Sequence, residues 1–217
     1  MSRRFDAVIF DMDGLLLDSE RPIRDAWLRL SSLTEADYLL TVGRNQQDTL
    51  QLLAEKLGTT EAARAMYAAV DAEVARRLQG RGFELMPGAL ALLQALQGLG
   101  VPLAVASSTR HAKVIDRLDA AGIRPFFGSI HGGDQVARGK PHPDLFELAA
   151  RSLGIHPAKT LVFEDSSYGA QGALTAGMGV VLVPDLKQPD PAIAPQCLVL
   201  GSLNEVLPRL PSWFRDN

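Results

Sequence analysis

AVIFDMDGLLLDSE, residues 7–20, joins an apolar run to two closely spaced acidic residues. The run Ala7–Phe10 is short and rich in β-branched and aromatic side chains, which predicts a buried strand. Asp11 and Asp13 follow at its carboxyl end, and Gly14 lets the chain turn away. Ligands of open α/β sheets bind beside the carboxyl ends of the strands. Two carboxylates at that edge can divide catalysis between a nucleophile or metal ligand and a proton donor.

The composition is that of an ordinary globular protein. The chain has 217 residues, 47% hydrophobic and 22% charged, with a formal net charge of −3. It carries no basic block, which argues against nucleic-acid or anionic-membrane partners. Cys197 is the only cysteine, which excludes an internal disulfide and fits a reducing compartment. We therefore predict a cytoplasmic protein and, by default, a monomer. The uncharged stretch 85–109 is interrupted by proline and glycine, so we assign it to the core and not to a membrane span.

The second half of the chain alternates between strand and helix patterns. Strands are predicted at 101–106, near 129–130, at 160–163 and at 180–183. Helices are predicted at 110–121, around 143–153 and at 168–176, with a last short one near 203–207, stopped by Pro208. Residues 183–195 are proline-rich and indicate an irregular loop. Strands that alternate with helices predict an α/β protein with a Rossmann-like, doubly wound parallel sheet.

The segment between the first strand and Met86 has a different pattern, because it is helical and has weak strand signals. One apolar stripe comprises Leu50, Leu53, Ala54 and Leu57, and another comprises Ala65, Met66, Ala69, Val70 and Val74. The pattern predicts an α-helical insert at residues 19–83, within a core domain formed by residues 1–18 and 84–217.

Four polar features follow predicted core strands. They are Asp11 with Asp13, the run Ser107–Ser108–Thr109, Lys140 in GKPHPD, and Glu164 with Asp165. Parallel strand ends meet at one edge of a sheet, so we expect four carboxylates in a small volume. They cannot all stay ionised without a counter-charge, which a hard, oxygen-seeking cation such as Mg²⁺ supplies. Together with Lys140 and a hydroxyl, this set suits a phosphoryl group.

The four motifs, in this order, resemble those of the haloacid dehalogenase superfamily, in the subfamily with a helical cap domain. They read DMDGLLLDSE, VASST, GKPHPDLF and FEDSSYGAQGALTAGM, and the match spans about residues 5–185. The resemblance implies that the insert is the cap, Asp11 the nucleophile and Asp13 the general acid and base. The implied metal ligands are Asp11, the backbone carbonyl of Asp13, Glu164 and Asp165. The implied phosphoryl-binding residues are Ser107 and Lys140, and we add Gly14 and Ser108.

Particular residues of this sequence distinguish among the reactions that members of this superfamily catalyse. Asp13 favours phosphoryl transfer, because the dehalogenases lack this second acid. Ile23 stands where β-phosphoglucomutase has a cap-hinge histidine, and Gln46 where it has an arginine, although Arg44 can substitute. Lys56, the only lysine of the insert, lies in a predicted helix, which disfavours a Schiff-base hydrolase.

We therefore predict a Mg²⁺-dependent phosphatase that hydrolyses a small phosphorylated metabolite, such as a sugar phosphate, through an aspartyl phosphate. The alternatives are a β-phosphoglucomutase-like hexose-phosphate mutase and a regulatory or binding module that retains the fold. Between Trp27 and Gly43 the cap is several residues shorter than is usual, so its specificity residues are not carried over.

Overall fold

The fold is a parallel sheet that is covered by helices on both faces. The computed structural model describes residues 4–214, which contain one six-stranded sheet in the order β3-β2-β1-β4-β5-β6. The strands are β1 (Ala7–Phe10), β2 (Leu103–Ser107), β3 (Ser129–Gly132), β4 (Thr160–Glu164), β5 (Gly179–Leu182) and β6 (Leu198–Val199). All neighbouring strands pair in parallel. The predicted α/β class and doubly wound sheet are confirmed.

Helices connect the strands and form the insert. They are α1 (Glu20–Leu30), α2 (Glu35–Leu39), α3 (Gln46–Leu57), α4 (Thr60–Leu78), α5 (Ala89–Gly98), α6 (His111–Ala120), α7 (Asp144–Leu153), α8 (Ser167–Thr175) and α9 (Leu210–Phe214). Short 3₁₀ turns lie at Arg124–Phe126, Gly133–Gln135, Pro157–Lys159, Ala194–Gln196 and Leu203–Arg209. None of these helices is both long enough and apolar enough to cross a membrane.

Two details of the carboxyl-terminal region differ from the prediction. Pro208 does not stop the last helix: it lies within Leu203–Arg209, which continues into α9. A proline removes its own N–H from the helix, but the amide of Leu210, two residues further on, still donates to the carbonyl of Leu207. Strand β6 was not predicted, because its two exposed residues are too few for a periodic pattern.

β1 is the central strand and is buried on both faces. Val8 and Phe10 face a cluster that includes α5, α6 and the insert, whereas Ile9 faces the cluster of α7 and α8. The register aligns Phe10 with Phe163 of β4, and their rings stack at 5.1 Å between centroids. The carboxyl ends of β1 and β4 are therefore side by side, and each is followed directly by acidic residues.

The insert leaves and rejoins the core through two paired chain segments. Met86 N donates to Leu16 O at 2.9 Å, and Asp18 N donates to Glu84 O at 2.9 Å. These crossings lie next to the boundaries that we propose for a cap domain, residues 19 and 83.

The helices of the insert pack mainly through α3 and α4. The buried stripe of α4 comprises Ala63, Met66, Val70 and Val74. Ala65 and Ala69, which the sequence pattern assigns to this stripe, are exposed. Small alanine side chains carry little information about which side of a helix is buried.

Candidate active site

Asp11 and Lys140 form the buried base of the site. The Asp11 backbone N–H donates to Phe163 O at 2.9 Å, which fixes the residue at the end of β1 beside β4. Lys140 Nζ donates to Asp11 Oδ1 and to Glu164 Oε1, so one ammonium joins two carboxylates. All three side chains are buried. The third and fourth motifs therefore converge on the first, as their positions after core strands predicted.

Burial and the neighbouring charges together raise the pKa of both Asp11 and Lys140. Burial raises the pKa of Asp11, and the Glu164 and Asp13 charges add to this change. Lys140 opposes it, but the net pKa of Asp11 is still raised. Burial lowers the pKa of Lys140, but the Asp11 and Glu164 carboxylates outweigh it, and the net pKa is raised. Lys140 is thus a permanent cation that favours the ionised form of Asp11, which is the form that can attack phosphorus.

Asp13 is held by four donors at the mouth of the site. Ser19 Oγ donates to Oδ1 at 2.6 Å, and Arg117 Nη1 contacts the same oxygen. Thr109 Oγ1 and Ser107 Oγ donate to Oδ2 at 2.8 Å and 3.3 Å. Burial raises the pKa of Asp13, but the Arg117 charge and the three hydroxyl donors outweigh it and lower the net pKa. The carboxylate is therefore ionised and fixed in orientation.

Asp165 lies against the turn at Gly14. Gly14 has a φ of +80°, and a Cβ at this position would lie 2.6 Å from Asp165 Oδ2. Only glycine allows both the left-handed backbone and this approach of the carboxylate. Burial and the charges of Glu164, Asp11 and Glu20 raise the pKa of Asp165. This excess of negative charge, beside a turn that leaves room for it, fits a bound cation.

The oxygen donors fit Mg²⁺ better than they fit a closed all-protein metal centre. Within residues 4–214, no three Asp, Glu, His or Cys side chains form a complete ligand group. Mg²⁺ keeps several waters and uses one or two carboxylates, which Asp11 and Asp165 can supply. Glu164 is less available, because its Oε1 accepts from Lys140 and its Oε2 accepts from Ser166 N and Oγ at 3.1 Å and 2.9 Å.

Ser107 and Ser108 both lie at the carboxyl-terminal edge of the sheet, but they have different neighbours. Ser107 is buried at the end of β2, where its Oγ accepts from Thr109 N at 3.1 Å. Ser108 Oγ donates to the carbonyl of Gly43, in the insert, at 3.3 Å. Ser107 thus faces the acids, and Ser108 joins the core to the insert.

A cavity of about 110 Å³ lies between the core and the insert. Core residues that line it include Asp11, Asp13, Ser107, Ser108 and Asp165. Lining residues from the insert include Ile23, Trp27, Tyr38 and Arg44. Ile23 thus faces the cavity, whereas Gln46 does not line it. Three other predicted site residues do not line this cavity: Lys140, Glu164 and Gly14.

Several site residues were missed in the sequence. Arg117 lies on α6, where one arginine of an amphipathic helix indicates only an exposed position. Ser19 and Thr109 belong to the quoted motifs, but nothing in their spacing indicates a contact with Asp13. Glu20 accepts a hydrogen bond from the Tyr38 hydroxyl, and burial raises the pKa of Glu20 to about 7. This pair depends on the packing of α2 onto α1, which the sequence does not specify.

Comparisons with known proteins agree with this geometry. The family model of the haloacid dehalogenase-like hydrolases matches residues 5–177. The chain is 34% identical to (DL)-glycerol-3-phosphatase 1, mitochondrial, of Arabidopsis thaliana, over 97% of this chain and 75% of that protein. It is 31% identical to a phosphorylated carbohydrates phosphatase of Thermotoga maritima, over 80% of this chain and 82% of that protein.

A solved structure has the same fold. The crystal structure of a HAD family hydrolase from Deinococcus radiodurans R1, with bound phosphate and sodium, is 31% identical. It superposes with a TM-score of 0.74 over 97% of this chain and 96% of that chain. The fold, the order of the motifs and these matches lead to one conclusion: the chain belongs to the haloacid dehalogenase-like hydrolase family.

Proposed function

We propose that this protein, a hydrolase of phosphoric monoesters, is a Mg²⁺-dependent phosphatase of a small phosphorylated metabolite such as a sugar phosphate. The observation that carries the proposal is the convergence of Asp11, Asp13, Ser107 and Asp165 on one cavity, with Lys140 behind Asp11. The relatives named as phosphatases of glycerol 3-phosphate and of phosphorylated carbohydrates support the substrate class. The cytoplasmic location and the monomeric state stay predictions.

The proposed reaction has two steps, and both use the same pair of acids. The Asp11 carboxylate attacks phosphorus and the ester P–O bond breaks. Asp13, which takes up a proton from solvent when the anionic substrate binds beside it, gives this proton to the departing alkoxide. Asp13 then accepts a proton from water as the water oxygen attacks the aspartyl phosphate. This step releases inorganic phosphate and regenerates the Asp11 carboxylate, and Asp13 returns its proton to solvent when the phosphate leaves.

The other residues position the reacting groups. Ser107 lines the cavity and Lys140 lies directly behind Asp11, and we propose that both donate to oxygens of the phosphoryl group. Ser19 and Thr109 hold the Asp13 carboxylate in place. Asp11, Asp165 and the backbone carbonyl of Asp13 would hold Mg²⁺, which neutralises phosphoryl charge when it is bound. Glu164 supports this set by fixing Lys140 and the Ser166 turn. Closure of the insert over the cavity excludes water from the first step.

The mutase alternative receives no support from the cavity. A mutase must move protons between the enzyme and a bound sugar in both directions, and Ile23 faces the cavity at the position of the mutase histidine. An aliphatic side chain cannot carry a proton. We therefore expect water to be the acceptor of the phosphoryl group.

Turnover of 4-nitrophenyl phosphate by purified protein tests the proposal. We expect Mg²⁺-dependent release of inorganic phosphate that EDTA stops and added Mg²⁺ restores. Asp11→Asn removes the nucleophile and should lower kcat by about 10³-fold or more. Asp119→Asn, on the exposed part of α6, serves as the matched control and should retain activity.

Two further measurements separate the parts of this proposal. Borohydride reduction during turnover should convert Asp11 to homoserine, which mass spectrometry detects, if an aspartyl phosphate forms. A hexose 1-phosphate should yield inorganic phosphate and no hexose 6-phosphate. Full activity of Asp11→Asn would exclude the mechanism, and interconversion of the hexose phosphates would favour the mutase.

A further inference from the structure

Arg117 is a mostly buried cation that reaches from α6 to the catalytic edge of the sheet. Its side chain is 11% exposed, and its Nη1 contacts Oδ1 of Asp13. Its guanidinium carbon lies 5.0 Å from the ring centroid of Phe83. Arg117 therefore contacts both the acid that we propose as the proton donor and the segment through which the insert rejoins the core.

The segment that contains Phe83 packs directly on α6. The ring of Phe83 is buried. Next to it, a Cβ at Gly82 would lie 2.8 Å from the backbone carbonyl oxygen of Ala120, so the two backbones approach more closely than a side chain at position 82 would allow. Ala120 follows Arg117 by three residues, one turn further along α6. Backbone packing therefore fixes the ring of Phe83 beside the guanidinium and supports it.

Arg117 differs from the other partners of Asp13 in its hydrogen-bonding capacity. The hydroxyls of Ser19, Ser107 and Thr109 can donate or accept, so they stay bonded to Asp13 whichever carboxyl oxygen carries a proton. A guanidinium can only donate. While Arg117 is in contact, Oδ1 must therefore remain an acceptor. The proton that Asp13 transfers then has to lie on Oδ2, which Thr109 and Ser107 contact at 2.8 Å and 3.3 Å.

The hydroxyl neighbours of the two carboxyl oxygens agree with this assignment. The hydroxyl neighbour of Oδ1, Ser19, is fully buried and does not line the cavity of the candidate site. Both hydroxyl neighbours of Oδ2, Ser107 and Thr109, line that cavity together with Asp11. A proton on Oδ2 thus lies on the side from which an oxygen of the substrate can approach.

We propose that Arg117, supported by Phe83, is a positioning residue for proton transfer by Asp13. The guanidinium holds Oδ1 as an acceptor. The Oδ2–H bond then breaks as the oxygen of the leaving group takes the proton and separates from phosphorus. Without Arg117 the carboxyl group can turn, and the proton is delivered from a less favourable direction. This inference rests on the proposed phosphatase function and adds to it a residue that lies outside the four motifs.

Two esters of similar size, which differ in their need for a proton donor, test this inference. The alkoxide of benzyl phosphate must be protonated as it leaves, whereas the phenolate of 4-nitrophenyl phosphate leaves without a proton. The value of kcat/KM covers the steps up to the aspartyl phosphate. We expect Arg117→Met to lower the ratio of kcat/KM for benzyl phosphate to that for 4-nitrophenyl phosphate by about tenfold. Asp13→Asn, which has no proton to give, should lower this ratio further.

The ratio separates positioning from a structural role. A structural defect lowers both values of kcat/KM together, and a ratio measured on one preparation does not depend on how much of the protein is folded. Arg117→Lys keeps a cation that only donates, so it should bring the ratio back to within about threefold of that of the unaltered protein. Arg151→Met, at an exposed arginine of α7, is the matched control and should leave the ratio unchanged.

Phe83→Leu tests the support from the insert. It removes the ring and keeps an apolar side chain, and we expect it to lower the ratio by about threefold. In the Arg117→Met protein the same change should lower the ratio no further, because the ring acts through the guanidinium.

A ratio that Arg117→Met leaves unchanged or raises overturns the inference. So does a ratio that Phe83→Leu leaves unchanged, or lowers equally with and without Arg117. If the unaltered protein hydrolyses neither ester, the phosphatase function itself fails, whereas turnover with an unchanged ratio overturns only the role of Arg117.

Discussion

Lys140 supplies the buried positive charge of the site and stabilises the two carboxylates beside it. Its ammonium is buried with Asp11 and Glu164, and its Nζ also lies 5.1 Å from the ring centroid of Phe146. A buried ammonium is tolerated only when carboxylates or other hydrogen-bond acceptors surround it. If the cation were removed, two carboxylates would face each other without compensation. The residue that we propose to neutralise the phosphoryl group therefore also holds Asp11, the proposed nucleophile, in place before substrate arrives.

Glu20 provides a test of charge burial at a single residue. Burial raises its pKa in the folded protein to about 7, from an ordinary value of 4.5. The folded state then binds a proton more tightly than the unfolded state, so stability is full below about pH 4.5 and declines as the pH rises through 7. Glu20→Gln keeps an acceptor for the Tyr38 hydroxyl and removes the charge. We expect it to raise the free energy of unfolding by about 2 kcal/mol at pH 8, with little gain at pH 4.5.

Urea unfolding in EDTA at the two pH values measures this difference. Glu55→Gln, at an exposed position of α3, is the matched control and should show no pH-dependent gain. A gain for Glu20→Gln of equal size at both pH values would show that the charge of Glu20 is not the cause.

The sequence identifies the acids and the lysine but not the residues that hold them. Asp11, Asp13, Lys140 and Asp165 each follow a core strand or stand in a distinctive motif, and local sequence is enough to find them. Arg117 has no such signal, because the side of α6 that faces the insert is decided by tertiary packing. Interactions of residues far apart in the chain thus set the final environment of the Asp13 carboxylate.

At the scale of the element, α8 approaches the sheet more closely than an ordinary helix can. A Cβ at Gly169 would lie 1.7 Å from Glu164 Oε1, and one at Gly172 would lie 2.9 Å from the backbone carbonyl of His142. Small residues at these positions let α8 begin directly over the Glu164 carboxylate. Ser166 caps the helix and donates to the same carboxylate, so the start of α8 and the position of Lys140 depend on each other.

Two glycine-to-alanine substitutions in helices should therefore act in opposite directions. Alanine favours a helix interior over glycine by about 1 kcal/mol in the absence of clashes. Gly98, in the last turn of α5, has nothing within 4 Å of an added Cβ, so Gly98→Ala should raise the unfolding free energy by about 0.5 kcal/mol. Gly169→Ala should lower it by about 3 kcal/mol, because the Cβ displaces Glu164 from Lys140.

Urea midpoints of both variants measure the two effects, and phosphatase assays add a second readout. Gly169→Ala should also lose activity, because Lys140 shifts with Glu164, whereas Gly98→Ala should retain it. Equal stability changes for the two variants would contradict the close approach of α8 to Glu164.

The type and order of the elements follow from local patterns, and their exact ends do not. The strand predicted at 101–106 forms at Leu103–Ser107, and the helix predicted at 168–176 forms at Ser167–Thr175. Hydrogen bonding to the neighbouring strands decides where a strand begins and ends, and the sequence of that strand alone does not show it. The five-residue helix α2 is not predicted as a separate helix, because five residues are too few for a periodic pattern. Its Tyr38 packs edge-on against Trp27, with ring centroids 5.6 Å apart.

At the scale of the whole molecule, the insert and the core share one hydrophobic cluster. Trp27 and Val70 of the insert, and Phe10 and Leu92 of the core, belong to the same buried set. The segment Leu15–Leu17 lies between them and is itself buried. The ion pair of Lys113 with Asp71 adds a further link across the boundary. The sequence predicted an insert because its pattern is helical, but it did not predict this continuity, which depends on how the two parts pack.

Continuity of the cluster predicts that insert and core unfold together, and the two tryptophans can report on it. Trp27 is buried in α1 and Trp213 in α9, and the chain has no other tryptophan. In Trp213→Phe the fluorescence follows the insert, and in Trp27→Phe it follows the core. In each variant we expect the urea transition seen by fluorescence to coincide with that seen by far-ultraviolet circular dichroism, as two-state unfolding requires. A Trp27 transition at lower urea than the circular dichroism of the same variant would show that the insert opens independently, and the shared cluster would then not couple the two parts.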